Sequence, residues 1–182
     1  MTTVNSEAEK TAGKAGGENR GDPIGEPGGR YVAIGDTRLF LVERGQGYPL
    51  LVLHGGPGID HHTFGDYLDP LTDRYRLILV DQRSCGRSDR TPESTWTLEQ
   101  MVQDVTALAQ ALALEHYAVL GHSYGAFVAL QHAVTFPGQA TQTIVSNGIP
   151  SARFLAQVDR NLRIAELGSG LEISLFYWVR QE

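Results

Sequence analysis

The chain has 182 residues, a formal net charge of −6, 41% hydrophobic and 20% charged residues, enough for one domain with a sizeable core. The acidic balance leaves no basic patch to neutralise phosphates, so no nucleic-acid partner is expected. No apolar run approaches the ~18 residues of a membrane span, the N-terminus lacks a secretory pattern, and Cys85 is the lone cysteine, so neither a membrane partner nor an internal disulfide is expected and a reducing, cytoplasmic setting fits.

Residues 1–29 carry Gly, Glu, Lys, Asn, Ser and Thr, with only Val4 and Ile24 as larger aliphatics. Such a segment cannot bury enough surface to offset its ordering entropy, and a disordered tail is predicted. Order is predicted to begin at Arg30. YVAI and TRLFLVE flank Gly35-Asp36, a Gly-first pair suited to a two-residue hairpin turn. Four further runs follow: LLVLH at 50–54, RLILVD at 76–81, YAVLG at 117–121 and TIVSN at 143–147. They are short, continuously apolar and rich in branched residues, the pattern of parallel strands buried on both faces.

Helices are predicted between the later strands. Thr97 and Gln100 form a T-x-x-Q capping box, and Leu98, Met101, Val102, Val105, Leu108 and Leu112 recur at helical spacing. A second helix follows Ser123 and is stopped by Pro137-Gly138. The pattern predicts an α/β fold, a mostly parallel sheet with an antiparallel hairpin at its N-terminal edge.

Three motifs carry chemistry. GHSYG (121–125) sets Ser123 between two glycines where a buried strand gives way to a helix, the arrangement of a nucleophile elbow. A Gly-Ser turn without chemistry is the alternative. HGGPG (54–58) follows an earlier strand, with Gly55 and Gly56 allowing close backbone approach and Pro57 stiffening the bend. We favour an oxyanion loop over a phosphate cradle or a plain turn, because Pro57 has no N–H and G-x-G-x-x-G is absent. DQRSCGRSD (81–89) reads as a charged loop framing the site, with Arg83 or Arg87 paired to Asp81 or Asp89; Cys85 lacks an evident base and is disfavoured as a nucleophile.

The three motifs at these intervals resemble the α/β-hydrolase fold and, within it, the proline iminopeptidase family of serine peptidases. The similarity spans about Arg30 to Ser151, the N-terminal half of such a domain. It departs at Ser84 and Ala126, where that family usually has glycine. The resemblance implies Ser123 as nucleophile, Gly56 and Tyr124 as oxyanion donors, and His54, Gly55, Pro57 and Gly58 as the supporting loop. It implies a small peptide, amide or ester as substrate and no cofactor.

A serine nucleophile also needs a histidine base and an acid. After Ser123 the chain offers only His132, which sits well along the elbow helix and is expected to pack or face solvent. His54 is expected to brace the oxyanion loop, and His122 is chained beside the serine at an unsuitable angle. His61 and His62 are weak candidates for a base, and no third ligand stands at a convincing spacing to make them a metal site. The resemblance places the acid and base after later strands, and 151–182 at the start of a cap domain. The expectation is therefore a fold truncated before its last strands, with TIVSN left as an exposed edge. A catalytically silent chain acting as a binding partner remains the reading from a different class.

Overall fold

The computed structural model describes residues 25–148 and the backbone of 176–180. The predicted strands all form, each within two residues of the apolar run that signalled it. They are β1 (Gly29–Ala33), β2 (Arg38–Arg44), β3 (Tyr48–Leu53), β4 (Tyr75–Val80), β5 (Ala118–His122) and β6 (Gln142–Ser146). A further strand, β7, covers Phe176–Arg180. Helix α1 spans Leu98–Ala111 and α2 spans Tyr124–Thr135. The sheet order is β1-β2-β4-β3-β5-β6-β7. β3, β4, β5 and β6 run parallel, and β1 and β2 form the antiparallel edge.

Alternate residues of the central strands feed two cores, as the two-residue period of a strand requires. Leu51, Leu53, Ile78, Val80 and Val119 pack against Met101, Val102, Val105 and Leu108 of α1 and Val128 of α2. Leu50, Val52, Leu77 and Leu79 face the other way, onto Phe64 and the loop segment that carries it. At the hairpin, Ile34 N–H donates to Thr37 O at 2.9 Å and Gly35 takes φ 93°, so Gly35-Asp36 makes the predicted turn.

Three expectations change. First, order begins before Arg30. Gly29 N–H donates to Glu26 O at 2.9 Å, Glu43 N–H to Gly28 O at 3.0 Å, and the Glu26 carboxylate meets His61 and Arg87. Polar pairing holds this segment, and composition does not register that. The rest of the tail predicted over 1–29, residues 1–24, lies outside the described residues.

Second, the edge of β6 is covered. β7 pairs with it antiparallel, from Gln142↔Arg180 to Ser146↔Phe176, so its backbone groups are not left as a bare template. Apart from the backbone of β7, the cap-domain start expected over 151–182 lies outside the described residues.

Third, the capping box is half made. Thr97 Oγ1 accepts from Gln100 N–H at 3.1 Å, but the Gln100 side chain turns away and donates to Asp104 Oδ1 at 3.1 Å. Asp104 has a larger task. Its carboxylate and that of Asp36 both hold the fully buried Arg83 guanidinium, through four bonds of 2.7–3.0 Å. Arg83 therefore ties the hairpin tip to α1 and does not pair with Asp81 or Asp89. Asp89 pairs instead with Arg38, at 2.8 and 2.9 Å.

His132 packs, as expected. It is fully buried between the rings of Tyr117 and Phe136, and neither ring nitrogen has a hydrogen-bond partner among the described residues. Burial pushes its pKa down to about 4. The unfolded imidazole titrates near pH 6.5, so the unfolded chain takes up the proton first. Stability is expected to fall by roughly 3 kcal/mol as pH drops from about 6.5 to about 4. Urea unfolding of wild type and His132→Leu across that range isolates the effect from the carboxylates. Parallel pH curves for the two proteins would refute it.

Candidate active site

Ser123 is the single residue that joins the end of β5 to the start of α2. Its φ of 51° and ψ of −111° put a non-glycine residue where backbone strain costs about 1–3 kcal/mol. Its N–H donates to Ser146 O at 2.9 Å, which clamps the bend to the end of β6. The side chain is exposed and makes no capping hydrogen bond to α2. The strain thus holds a hydroxyl outward at the carboxyl end of the sheet.

The flanking glycines answer to space. A Cβ on Gly121 would lie 2.1 Å from Gly125 O, and one on Gly125 would lie 2.3 Å from Leu53 O. Neither glycine has a positive φ, so close approach of α2 to β3 and β5 is the reason for both. Ala126 is tolerated where the resemblance suggests glycine because Gly148 opposite it has no side chain; a Cβ there would come 2.4 Å from that of Ala126.

The HGGPG loop reaches the same point. β3 and β5 are neighbours in register, Leu53 opposite Gly121, so the loop after one meets the elbow after the other. A Cβ on Gly55 would fall 2.9 Å from Ser123 Cβ, which shows how closely the main chain presses on the serine. Gly56 has φ 42° and Gly58 φ 90°, both in the left-handed region that favours glycine. Tyr124 opens α2, in the first turn whose N–H groups have no intrahelical acceptor. Gly56, Tyr124 and Ser123 are thus brought to one end of two adjacent strands.

His54 braces this loop. Its Nδ1–H donates to Gly55 O at 2.7 Å, and its Nε2 accepts from Gln82 N–H at 3.1 Å. One donor and one acceptor describe a neutral ring, and burial lowers its pKa accordingly. The loop after β4 supplies the other brace. Cys85 is buried and its sulfur accepts from Gly58 N–H at 3.4 Å; burial also raises its thiol pKa, which leaves it a structural group. Ser84 in the same loop takes φ 58°, the conformation for which glycine is the usual choice, and its Oγ accepts from Thr91 N–H at 3.0 Å in partial return.

Asp81 is the pivot between the loops. Oδ1 accepts from His61 N–H at 2.9 Å and from His61 Nδ1–H at 2.6 Å, and Oδ2 accepts from Arg87 N–H at 2.8 Å. Burial opposes its charge, but the His61 and Arg87 hydrogen bonds outweigh that and hold its pKa below the usual range. The Arg87 side chain goes to Glu26, so the expected Arg87–Asp81 link exists only through the backbone.

No histidine bonds to the Ser123 hydroxyl among the described residues. His122 Nδ1 lies 3.2 Å from Ser146 Oγ, His61 is taken by Asp81 and Glu26, and His132 is buried beside Tyr117 at the far end of β5. His116 is exposed just before β5, also at the far end. Ser123, Gly56 and Tyr124 are thus brought together with no histidine at the Ser123 hydroxyl among the described residues. No helix among the described residues is long and apolar enough to cross a membrane.

Comparison with known proteins agrees with the fold. The profile of a family described as alpha/beta hydrolase fold matches residues 48–165. A proline iminopeptidase of Heyndrickxia coagulans is 37% identical over 123 residues, 66% of this chain and 42% of the relative. One from Saccharolobus solfataricus is 33% identical over 131 residues, 69% of this chain and 41% of the relative. The crystal structure of proline iminopeptidase from Mycobacterium smegmatis superposes with a TM-score of 0.66 at 31% identity, covering 75% of this chain and 49% of that one. The chain therefore spans less than half the length of these relatives.

Proposed function

Since the chain belongs to the alpha/beta hydrolase fold family, we propose that it carries the nucleophile and oxyanion-binding half of a serine hydrolase of proline iminopeptidase type. The observation that carries this reading is the exposed Ser123 held at φ 51° with the Gly55 main chain pressed against its Cβ. In this reading Ser123 Oγ attacks the carbonyl carbon that follows an N-terminal proline or small residue. The Gly56 and Tyr124 N–H groups receive the charge that develops on the carbonyl oxygen. A base takes the hydroxyl proton and returns it to the departing amine; water then attacks the acyl-enzyme and frees the acid. No histidine among the described residues stands at the Ser123 hydroxyl to act as that base.

That no histidine bonds to Ser123 among the described residues favours a second reading for the chain by itself, that of a catalytically silent binding partner. The test joins residues 1–150 to the downstream half of the Heyndrickxia coagulans relative. The chimera is expected to release arylamine from prolyl arylamides. Cleavage of simple acyl esters with prolyl amides untouched would transfer the reading to an esterase on the same scaffold.

A further inference from the structure

His61 and His62 lack a third partner in the sequence, but the structure supplies one from 35 residues upstream. Glu26 Oε1 lies 3.0 Å from His61 Nε2 and 3.9 Å from His62 Nε2. One ligand atom from each of the three side chains lies within 4.8 Å of the others. The two imidazoles lie side by side, ring centroids 4.2 Å apart and planes 33° apart, and so meet the same carboxylate oxygen.

What lies behind these side chains separates the cluster from a chance meeting of polar groups. His61 Nδ1 is 2.6 Å from Asp81 Oδ1, and His62 Nδ1 is 3.1 Å from Asp60 Oδ1. A carboxylate on Nδ1 fixes the tautomer that leaves Nε2 as the ligand atom, the usual support behind metal-binding histidines. Glu26 is oriented in the same way: Arg87 holds Oε2, and Oε1 is the oxygen turned to the imidazoles. All three ligands therefore have a partner on their remote atom.

We propose that Glu26, His61 and His62 form a site for a divalent transition cation of the Zn²⁺ class, with a fourth position open to water. Two imidazoles and one carboxylate suit such a cation better than Mg²⁺ or Ca²⁺, which take oxygen ligands. Bonds of about 2.0–2.2 Å in a tetrahedron place ligand atoms roughly 3.3 Å apart, so the three atoms need only small movements. His62 is exposed and can make the largest of them. Binding displaces the proton shared by His61 Nε2 and Glu26 Oε1. The cation would fasten the segment before β1 to the loop that continues from HGGPG, and through Asp81 to the end of β4. The inference is independent of the proposed chemistry at Ser123.

Zn²⁺ titration of the 182-residue chain against a chromophoric chelator tests this, with Mg²⁺ as control and thermal unfolding in parallel. One Zn²⁺ per chain and a melting temperature that rises with Zn²⁺ but not with Mg²⁺ are expected. His62→Ala and Glu26→Gln should each weaken binding at least tenfold and abolish the thermal shift. His62 is a surface position and Gln keeps the shape of Glu26, so both variants are expected to fold. Absence of stoichiometric binding, or a loss below tenfold in either variant, overturns the site.

Discussion

Ser123→Ala is expected to lower turnover of the completed enzyme by about 10⁶-fold while leaving its melting temperature nearly unchanged. The two halves of that expectation rest on the same geometry. The Ser123 hydroxyl is exposed and makes no capping bond, so the fold loses nothing when it goes. What holds the bend is the Ser123 N–H on Ser146 O and the close contacts of Gly121 and Gly125, and alanine keeps all of these. Binding and the oxyanion donors would leave a residual ~10³–10⁴-fold over water. Steady-state rates on a prolyl arylamide, with a melting curve for each protein, decide it. A rate loss below about tenfold would remove Ser123 as the nucleophile.

Gly125→Ala is expected to have the opposite profile, with a stability loss of roughly 3 kcal/mol and a displaced site. The added methyl would lie 2.3 Å from Leu53 O and 2.6 Å from His54 O. Both are main-chain atoms at the end of β3, in the centre of the sheet, and no rotamer change relieves the contact. Relief requires α2 to move off β3, which also pulls Tyr124 N–H away from Gly56. Urea unfolding measures the loss, and a change below about 1 kcal/mol would show that α2 can shift without cost.

The parts of this fold that were legible in the sequence are those fixed by local pattern. LLVLH, RLILVD and YAVLG became β3, β4 and β5 because an apolar run that short has few other uses beside two amphipathic helices. GHSYG was legible because two glycines around a serine answer to a steric need. The parts that stayed hidden depend on distant partners. Arg83 could not be assigned to Asp36 and Asp104, since 47 and 21 residues separate them and nearer acids were available. Glu26 lies in a segment whose composition reads as tail, and its ion pairs cross the chain to His61 and Arg87. β7 was missed because an antiparallel return onto β6 is a property of pairing, and the run FYWVR carries no mark of its partner.

The strand order β4-β3-β5 places the candidate site before any side chain is chosen. Leaving β3, the chain turns one way to reach β4; leaving β5, it turns the other way to reach β6. The two exits diverge at a topological switch point, the place where ligands of open α/β sheets are generally held. HGGPG leaves the sheet on one side of that point and the elbow on the other. What meets there is largely main chain, from Leu53 to Gly56 and from Gly121 to Tyr124, which offers few side chains to tell one ligand from another. In the proposed reading, selectivity belongs to side chains laid over this main chain, and exchanging them changes the substrate while the backbone beneath, and the reaction proposed for it, stays as it is.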